Sequence, residues 1–346
     1  MDVTTPSKTI DVHLLSLLAC PRDRAELYLD GQQLCCPHGH KYPIVDGVPV
    51  LLLAEIEQTI GIAKASLNAA ETGIGHPLYV DSLGLSDEQR RGVERDWTAG
   101  AEIDAAVSYL VGATSGWGYV DLVGRLKTYP IPDIPVEKGN GDLLLDVGSN
   151  WGRWSVSAAR KGWRVIGIDP SLGALLAAQR AFSGKGLDMG FICGDARFLP
   201  LKNDLFLRAF SYSVFQHFSE TDAKMAIAEL GRVLRKGGRA KIQMANKGGL
   251  RSTYTRTRRD YMNSGLFRVR YWSLTSLRET FEQNIGPTAV TAEAFGGLGL
   301  LAEDLRLVSA KARLLIRIST LLKSLSSYVR SFVRYADSVY VVSTKR

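Results

Sequence analysis

The chain has 346 residues, of which 45% are hydrophobic and 23% are charged, and its formal net charge is +8. This length predicts about two domains with enough apolar residues for packed cores. The N-terminus lacks an export signal, no apolar run approaches the about 18 residues of a membrane span, and four cysteines form no disulfide framework, so we expect a cytoplasmic protein.

Residues 1–54 predict a small β-rich module. Short β segments alternate with turns such as Asp30-Gly31 and Asp46-Gly47. A unit of about 40 residues needs a metal or a neighbouring domain to stabilise it. The segment from Leu17 to Leu52 is similar to the zinc-ribbon-like protein that activates eukaryotic tRNA, rRNA and release-factor methyltransferases, and to its bacterial relatives.

The resemblance raises the question of zinc. Cys20, Cys36, His38 and His40 could form a four-ligand set, since structural zinc takes four cysteine or histidine ligands. Zinc-binding members of the family have a second cysteine two or three residues after the first, where this chain has Asp23. We therefore predict that the module holds no metal and is stabilised by its apolar run and by packing on its neighbour.

Residues 55–141 predict a mainly helical segment followed by a linker. Ser86 and Gln89 have the spacing of a capping box, which opens a helix. The prolines between residues 130 and 135 cannot continue a helix, and Gly139-Asn140-Gly141 follows them. A domain boundary is expected near residue 141.

Residues 142–346 predict an α/β domain, because strand and helix patterns alternate along the chain. Such βαβ repetition is typical of a parallel sheet whose ligands bind at the carboxyl ends of the strands. The expected strands are 143–147, 164–168, 190–193, 206–211, 239–244, 290–295 and 338–343, and the expected helices are 151–161, 171–182, 220–234 and 275–283.

Three of these strands end in residues suited to a nucleoside ligand. The first runs into the glycine-rich turn Gly148 to Gly152, which lets a ligand approach the backbone. The second ends at Asp169, 23 residues after Asp146, where a carboxylate can accept both hydroxyls of a ribose. The third leads to Asp195.

This order of motifs resembles the class I S-adenosylmethionine (SAM)-dependent methyltransferases, a broad family that includes quinone-biosynthesis enzymes. The resemblance covers residues 142–244; segment 211–218 matches the motif after the fourth strand, and 234–239 matches the turn before the fifth. It implies a Rossmann-like, seven-stranded sheet with SAM as cofactor. The implied cofactor-binding residues are Asp146, Gly148, Ser149, Asn150, Trp151, Gly152, Asp169, Pro170, Ser171, Gly194, Asp195, Ala196, Ser211, Tyr212 and Gln216.

One position departs from the family, which has glycine where this chain has Asn150. Asparagine tolerates left-handed backbone geometry better than most residues, so cofactor binding is still expected. The alternative is that Asp146 and Asp169 only cap turns in a sheet that binds nothing. A dinucleotide site would need G-x-G-x-x-G spacing, which this turn lacks.

Methyl transfer to a hydroxyl needs a base, and His217 is the candidate. The alternative, which we favour, is that His217 packs beside the cofactor or anchors the next helix. After the fifth strand, arginines mix with aromatic residues, a composition that suits either nucleic acid or sugar rings with acidic groups. The substrate candidates in that segment are Tyr254, Arg258, Arg270 and Trp272.

A basic helical insertion is expected at about residues 299–336, because apolar residues there recur at helical spacing. From Leu305 to Tyr335 the chain has seven lysines and arginines and no acid. We interpret the insertion as a lid or a homodimer contact, with a membrane-surface helix as the alternative.

The sequence thus predicts a SAM-dependent O-methyltransferase acting on a small-molecule or glycan-like acceptor. The first alternative is an RNA methyltransferase, motivated by the basic C-terminal third and the activator-like module, although nucleic acid is not the favoured partner. The second is a non-catalytic binding protein that keeps the fold.

Overall fold

The computed structural model describes residues 9–72, 77–100, 102–114, 117–257, 268–299 and 301–346. Within these ranges no helix combines the length and the apolar character needed to cross a bilayer.

The N-terminal module is a short helix followed by a four-stranded antiparallel sheet; its β-rich character is confirmed, whereas the helix was not predicted. Its elements are α1 (Val12–Leu17), β1 (Tyr28–Asp30), β2 (Gln33–Cys35), β3 (Lys41–Val45) and β4 (Val48–Pro49). Asp46 and Gly47 both adopt positive φ, 48° and 83°, which is the geometry of a type I′ hairpin turn between β3 and β4.

The middle segment is helical, with α2 (Gly61–Thr72), α3 (Asp87–Thr98) and α4 (Ala105–Thr114). Ser86 and Gln89 form the expected capping box at the start of α3. Residues 105–112 of α4 are all buried, which fits the apolar composition of this helix.

Residues 143–344 form a seven-stranded sheet with helices packed against it. The strands are β5 (Leu143–Val147), β6 (Arg164–Asp169), β7 (Met189–Cys193), β8 (Phe206–Ser211), β9 (Leu234–Ala245), β10 (Thr288–Ala294) and β11 (Ser338–Thr344). Their order is β10-β11-β9-β8-β5-β6-β7, and β11 is antiparallel to both of its neighbours. The helices are α5 (Arg153–Arg160), α6 (Leu172–Phe182), α7 (Glu220–Val233), α8 (Leu250–Thr257), α9 (Leu274–Asn284) and α10 (Ala310–Tyr328).

The predicted fold class is confirmed, including the helical insertion, which lies between β10 and β11 and contains α10. The largest difference from the predicted strand bounds is in β9, which begins at Leu234 rather than Arg239. Leu234 already pairs with Phe206 of β8, and a register shift accommodates the glycine turn that follows.

The module packs against the outer edge of this sheet. Val50, just after β4, pairs in parallel with Cys193 of β7, and the amide of Leu51 donates to the carbonyl of Cys193 at 2.7 Å. Leu18 pairs with Leu201, and both belong to one apolar cluster that continues into the sheet core. The module therefore covers the edge strand β7, whose unpaired backbone groups would otherwise face solvent.

Candidate cofactor and active site

A cavity of about 540 Å³ opens at the carboxyl ends of the parallel strands β5, β6, β7 and β8. Its volume lies in the range of about 300–1,000 Å³ that is typical of small-molecule sites. Predicted cofactor residues that line it are Gly148, Ser149, Asn150, Trp151, Asp169, Pro170, Ser171, Gly194, Asp195, Ala196, Tyr212 and Gln216.

The turn after β5 has the backbone geometry that a close-fitting ligand needs. Gly148 has φ 77°, and a Cβ there would lie 2.1 Å from Cγ2 of Val214, so only glycine fits. Asn150 adopts the left-handed conformation with φ 48°. Its side-chain oxygen accepts the amide of Trp151 at 2.9 Å, which stabilises this conformation without glycine.

Asp169 is held at the end of β6 by two backbone amides. Its Oδ2 accepts from Asn150 at 3.0 Å and its Oδ1 accepts from Ser171 at 2.9 Å. Burial raises the pKa of Asp169 to about 6, and these two hydrogen bonds oppose the rise. Each carboxylate oxygen has a second lone pair, so the residue can still accept two ligand hydroxyls.

Asp146 lies at the same edge but is not among the residues that line the cavity, so its contact with the cofactor stays a prediction. Its Oδ2 accepts from Ser155 of α5 at 2.7 Å. Burial, reinforced by the nearby Asp169, raises the pKa of Asp146 to about 7. Among the described residues, Asp146 Oδ1 and the hydroxyl of Ser149 are buried without a hydrogen-bond partner, an arrangement that leaves acceptors for a polar or cationic ligand.

Gly152 and Ser211 also do not line the cavity. Gly152 is the N-cap of α5, where a Cβ would lie 3.2 Å from that of Ala178. The Ser211 hydroxyl is buried and donates to the carbonyl of Val147 at 2.8 Å. Both residues pack neighbouring elements together, and their contact with the cofactor stays a prediction.

Asp195 lines the cavity, but its carboxylate is already paired. Arg197 forms an ion pair with it at 2.7 Å and a second one with Asp222 at 2.9 Å. The same guanidinium donates to the carbonyl of Glu57. The sequence did not identify Arg197 as a site residue, because its partners come from three separate segments. The pair fixes the direction of Asp195 at the cavity wall.

A second buried arginine was also missed. Arg153 of α5 lines the cavity and forms a buried ion pair with Asp304, which also accepts a hydrogen bond from Tyr119. Arg153 further donates to the carbonyl of Pro130 at 2.9 Å. These contacts join the C-terminal insertion and the linker to the helix that follows the glycine-rich turn.

The loop after β8 contributes the predicted aromatic and histidine residues. The Tyr212 hydroxyl donates to Glu293 at 3.2 Å, and burial raises the pKa of Tyr212 well above its usual value, so the phenol stays protonated. His217 lines the cavity, and its Nδ1 lies 3.3 Å from the carbonyl oxygen of Arg268. A proton on Nδ1 fits this contact and makes Nε2 the basic nitrogen.

The predicted substrate residues do not form a lining. Tyr254 is 64% exposed and lies outside the cavity wall, Trp272 is buried in the core, and Arg270 donates to the carbonyl of His217. Arg258 lies outside the described residues. Cavity-lining residues from this part of the chain are instead Arg251, Ser252, Thr255, Val269 and Tyr271. In extended backbone successive side chains alternate, so Tyr271 faces the cavity while Trp272 faces the core.

The module contains a second cluster. Ligand atoms of Cys20, Asp23, Cys36 and His40 all lie within 4.8 Å of one another. His40 Nδ1 is 3.4 Å from the Cys20 sulfur and 3.3 Å from the Cys36 sulfur. His38 is not part of the cluster, and its Nδ1 forms a hydrogen bond with Asp23. The prediction of no metal treated Asp23 as a missing ligand, but a carboxylate oxygen can ligate zinc, so this reason no longer holds.

Comparisons with known proteins match two separate parts of the chain. A profile described as a methyltransferase domain matches residues 144–238, and one described as a Trm112p-like protein matches residues 11–47. A UPF0434 protein of Vesicomyosocius okutanii is 46% identical over 50 residues, which are 14% of this chain and 85% of that protein.

Relatives of the larger domain are methyltransferases. The demethylmenaquinone methyltransferase of Thermobifida fusca is 36% identical over 108 residues, 31% of this chain and 45% of that protein, so the chain spans less than half of that relative. The solved structure of Haemonchus contortus phosphoethanolamine N-methyltransferase 2 with SAM is 20% identical, with a TM-score of 0.43, and covers 62% of this chain and 50% of that one. Residues 144–238 therefore contain a SAM-dependent methyltransferase domain, and residues 11–47 form a Trm112p-like module.

Proposed function

We propose that the chain transfers a methyl group from SAM to a hydroxyl of a small-molecule or glycan-like acceptor. The observation that carries the proposal is the cavity at the carboxyl ends of β5 to β8, where Asp169 is fixed beside a turn of left-handed residues. A cavity with these features is better suited to bind a nucleoside that carries a charged substituent than to bind a nucleic-acid or protein surface.

When bound, SAM supplies an electrophilic methyl group on a sulfonium sulfur. The ionised carboxylate of Asp169 accepts the ribose hydroxyls, and the Gly148 turn lets the backbone approach the cofactor. Oδ1 of Asp146 and the hydroxyl oxygen of Ser149 supply hydrogen-bond acceptors behind the turn. Because methyl transfer is an in-line displacement, the main task of these residues is to align the reacting atoms.

The acceptor side is formed by Tyr212, His217, Arg251, Val269 and Tyr271. Aromatic rings and one arginine suit a cyclic acceptor with an acidic substituent. We keep packing as the favoured role of His217, since its ring contacts the Arg268 carbonyl and its own carbonyl binds Arg270. These contacts hold the segment that carries Val269 and Tyr271 against the cavity.

The alternative acceptor is RNA. It is motivated by the basic residues of the C-terminal third and by the Trm112p-like module. An RNA methyltransferase would lose activity steeply with salt, because counterion release scales with the number of phosphate contacts.

Labelled SAM and fractionated cell extract test the proposal. We expect label in a small-molecule or glycan fraction with the wild-type chain and much less with Asp169→Ala at a subsaturating SAM concentration. Label in RNA, lost between 50 and 200 mM salt, would favour the alternative. Labelling of no fraction by a chain that binds SAM would favour a non-catalytic binding protein.

A further inference from the structure

The helix α10 exposes a continuous apolar face to solvent. Leu314 is 62% exposed, Ile318 47%, Leu321 63%, Leu325 44% and Tyr328 87%. These five residues, which we call the apolar face, follow one another at spacings of four, three, four and three. They therefore lie along one side of the helix.

The opposite side of α10 packs against the protein. The apolar face is therefore exposed because of the way the helix is packed, not because the helix is unpacked. Ala312, Ile316, Ser319 and Ser326 are buried. The Ser319 hydroxyl accepts the amide of Phe295 at 2.9 Å, which fastens the helix to the chain just after β10. The apolar face therefore points away from the protein with a fixed orientation.

Basic residues accompany the apolar face. Lys311, Arg313 and Arg317 are exposed, and no carboxylate in the described ranges forms an ion pair with them. Between Leu305 and Tyr335 the chain has no acidic residue at all. An exposed apolar stripe beside unpaired cations is the composition of helices that lie at an anionic lipid surface.

The same composition disfavours a second copy of the chain as the occupant. The four-three spacing could form a dimer seam, but two such helices would bring like-charged arginines together without any acid to pair with them. A bilayer with anionic headgroups accepts the apolar side chains and the cations together.

Other exposed apolar side chains lie on α8 and in the segment that follows α10. Leu250 and Tyr254 of α8 are 59% and 64% exposed, and Phe332 and Tyr335 are each 39% exposed. The side chain of Asn246, just before α8, donates to the carbonyl of Arg334 at 3.0 Å, which joins the two parts. On α8 itself, Arg251 and Thr255 line the cavity.

We propose that α10, with Leu250, Tyr254, Phe332 and Tyr335, docks the protein on an anionic membrane surface. The apolar face enters the boundary between headgroups and acyl chains, and Lys311, Arg313 and Arg317 contact the headgroups. Docking by this surface brings the rim of the cavity to the bilayer. Docking on the membrane does not require methyl transfer.

Vesicle flotation of the full-length chain tests docking. Vesicles of phosphatidylcholine alone are compared with vesicles containing 30% phosphatidylglycerol, in 0.1 M salt. We expect binding to the anionic vesicles only. Arg313→Glu/Arg317→Glu should weaken it about 25-fold or more, because each basic residue near such a surface contributes roughly fivefold. Leu321→Glu should abolish it.

Two matched variants control for charge and for folding. Arg91→Glu/Arg160→Glu reverses two exposed arginines elsewhere, and Leu29→Glu alters an exposed leucine of the module. Both should bind vesicles like the wild type, and all variants should keep the wild-type melting temperature and SAM affinity. Unchanged binding by Leu321→Glu would overturn the proposal. So would a dimer that Leu321→Glu dissociates, or binding to RNA with none to vesicles.

Discussion

Asp169 is the residue on which cofactor binding depends most directly. A buried carboxylate that accepts two ribose hydroxyls contributes on the order of 1.5–3 kcal/mol to binding. Asp169→Ala should therefore weaken SAM binding about tenfold or more, as measured by calorimetry. Circular dichroism should show that the variant remains folded. An affinity equal to that of the wild type would refute the assignment.

His217 distinguishes two roles through a pair of substitutions. The amide nitrogen of Asn can replace Nδ1 and keep the contact with the Arg268 carbonyl, whereas that of Gln replaces Nε2. If His217 packs and positions, His217→Gln should weaken SAM binding and turnover together, and His217→Asn should retain more of both. If it is the base, both variants should lose about 10²–10⁴ in kcat with SAM affinity intact. We expect the first result.

For single residues, the sequence predicted the positions that follow from a local motif. Gly148, Asn150 and Asp169 lie where the strand-turn pattern placed them. Arg153 and Arg197 could not be found in this way, because their partners Asp304 and Asp222 are distant in the chain. The described substrate candidates do not line the cavity, because composition identified the segment but not which of its side chains alternate toward the cavity.

Among the elements, the parallel strands were the most predictable. β5 and β8 have the predicted bounds, because a short apolar run bounded by turn residues is buried on both faces of a parallel sheet. The metal cluster was not predicted, because Asp23 has the expected spacing from Cys20 but is not a cysteine. Only the fold of the module brings its carboxylate to His40, at 3.1 Å from Nδ1.

The cluster makes a specific prediction for the module. Two cysteine sulfurs, one imidazole and one carboxylate could supply the four ligands of a zinc ion, so elemental analysis of protein purified without chelator should find close to one zinc per chain. Asp23→Ala should lower that content and the melting temperature of the module. His38→Ala is the matched control and should keep the metal, because His38 is 66% exposed and contacts only Asp23 among these residues. Zinc-free wild-type protein would restore the original prediction.

For the whole molecule, the module and the sheet share one core. Leu18 and Leu51 contact the domain through β-type backbone pairing, and Arg24 forms an ion pair with Glu229 at 2.8 Å. Removing residues 1–54 should expose the edge of β7 and the apolar side chains beside it, a combination that promotes aggregation. Size-exclusion chromatography should find the shortened chain mostly aggregated. A monomeric chain 55–346 with wild-type thermal stability would show that the module is dispensable for folding.

SAM binding itself is the central claim, and calorimetric titration of the full-length chain tests it most directly. We predict one site per chain. Because the pKa of Asp169 is about 6 before binding and only the ionised carboxylate accepts both hydroxyls, affinity should rise from pH 5 to pH 7 and then level off. Asp169→Asn should flatten that rise. Absence of a binding signal at pH 7 with folded, full-length protein would contradict the account.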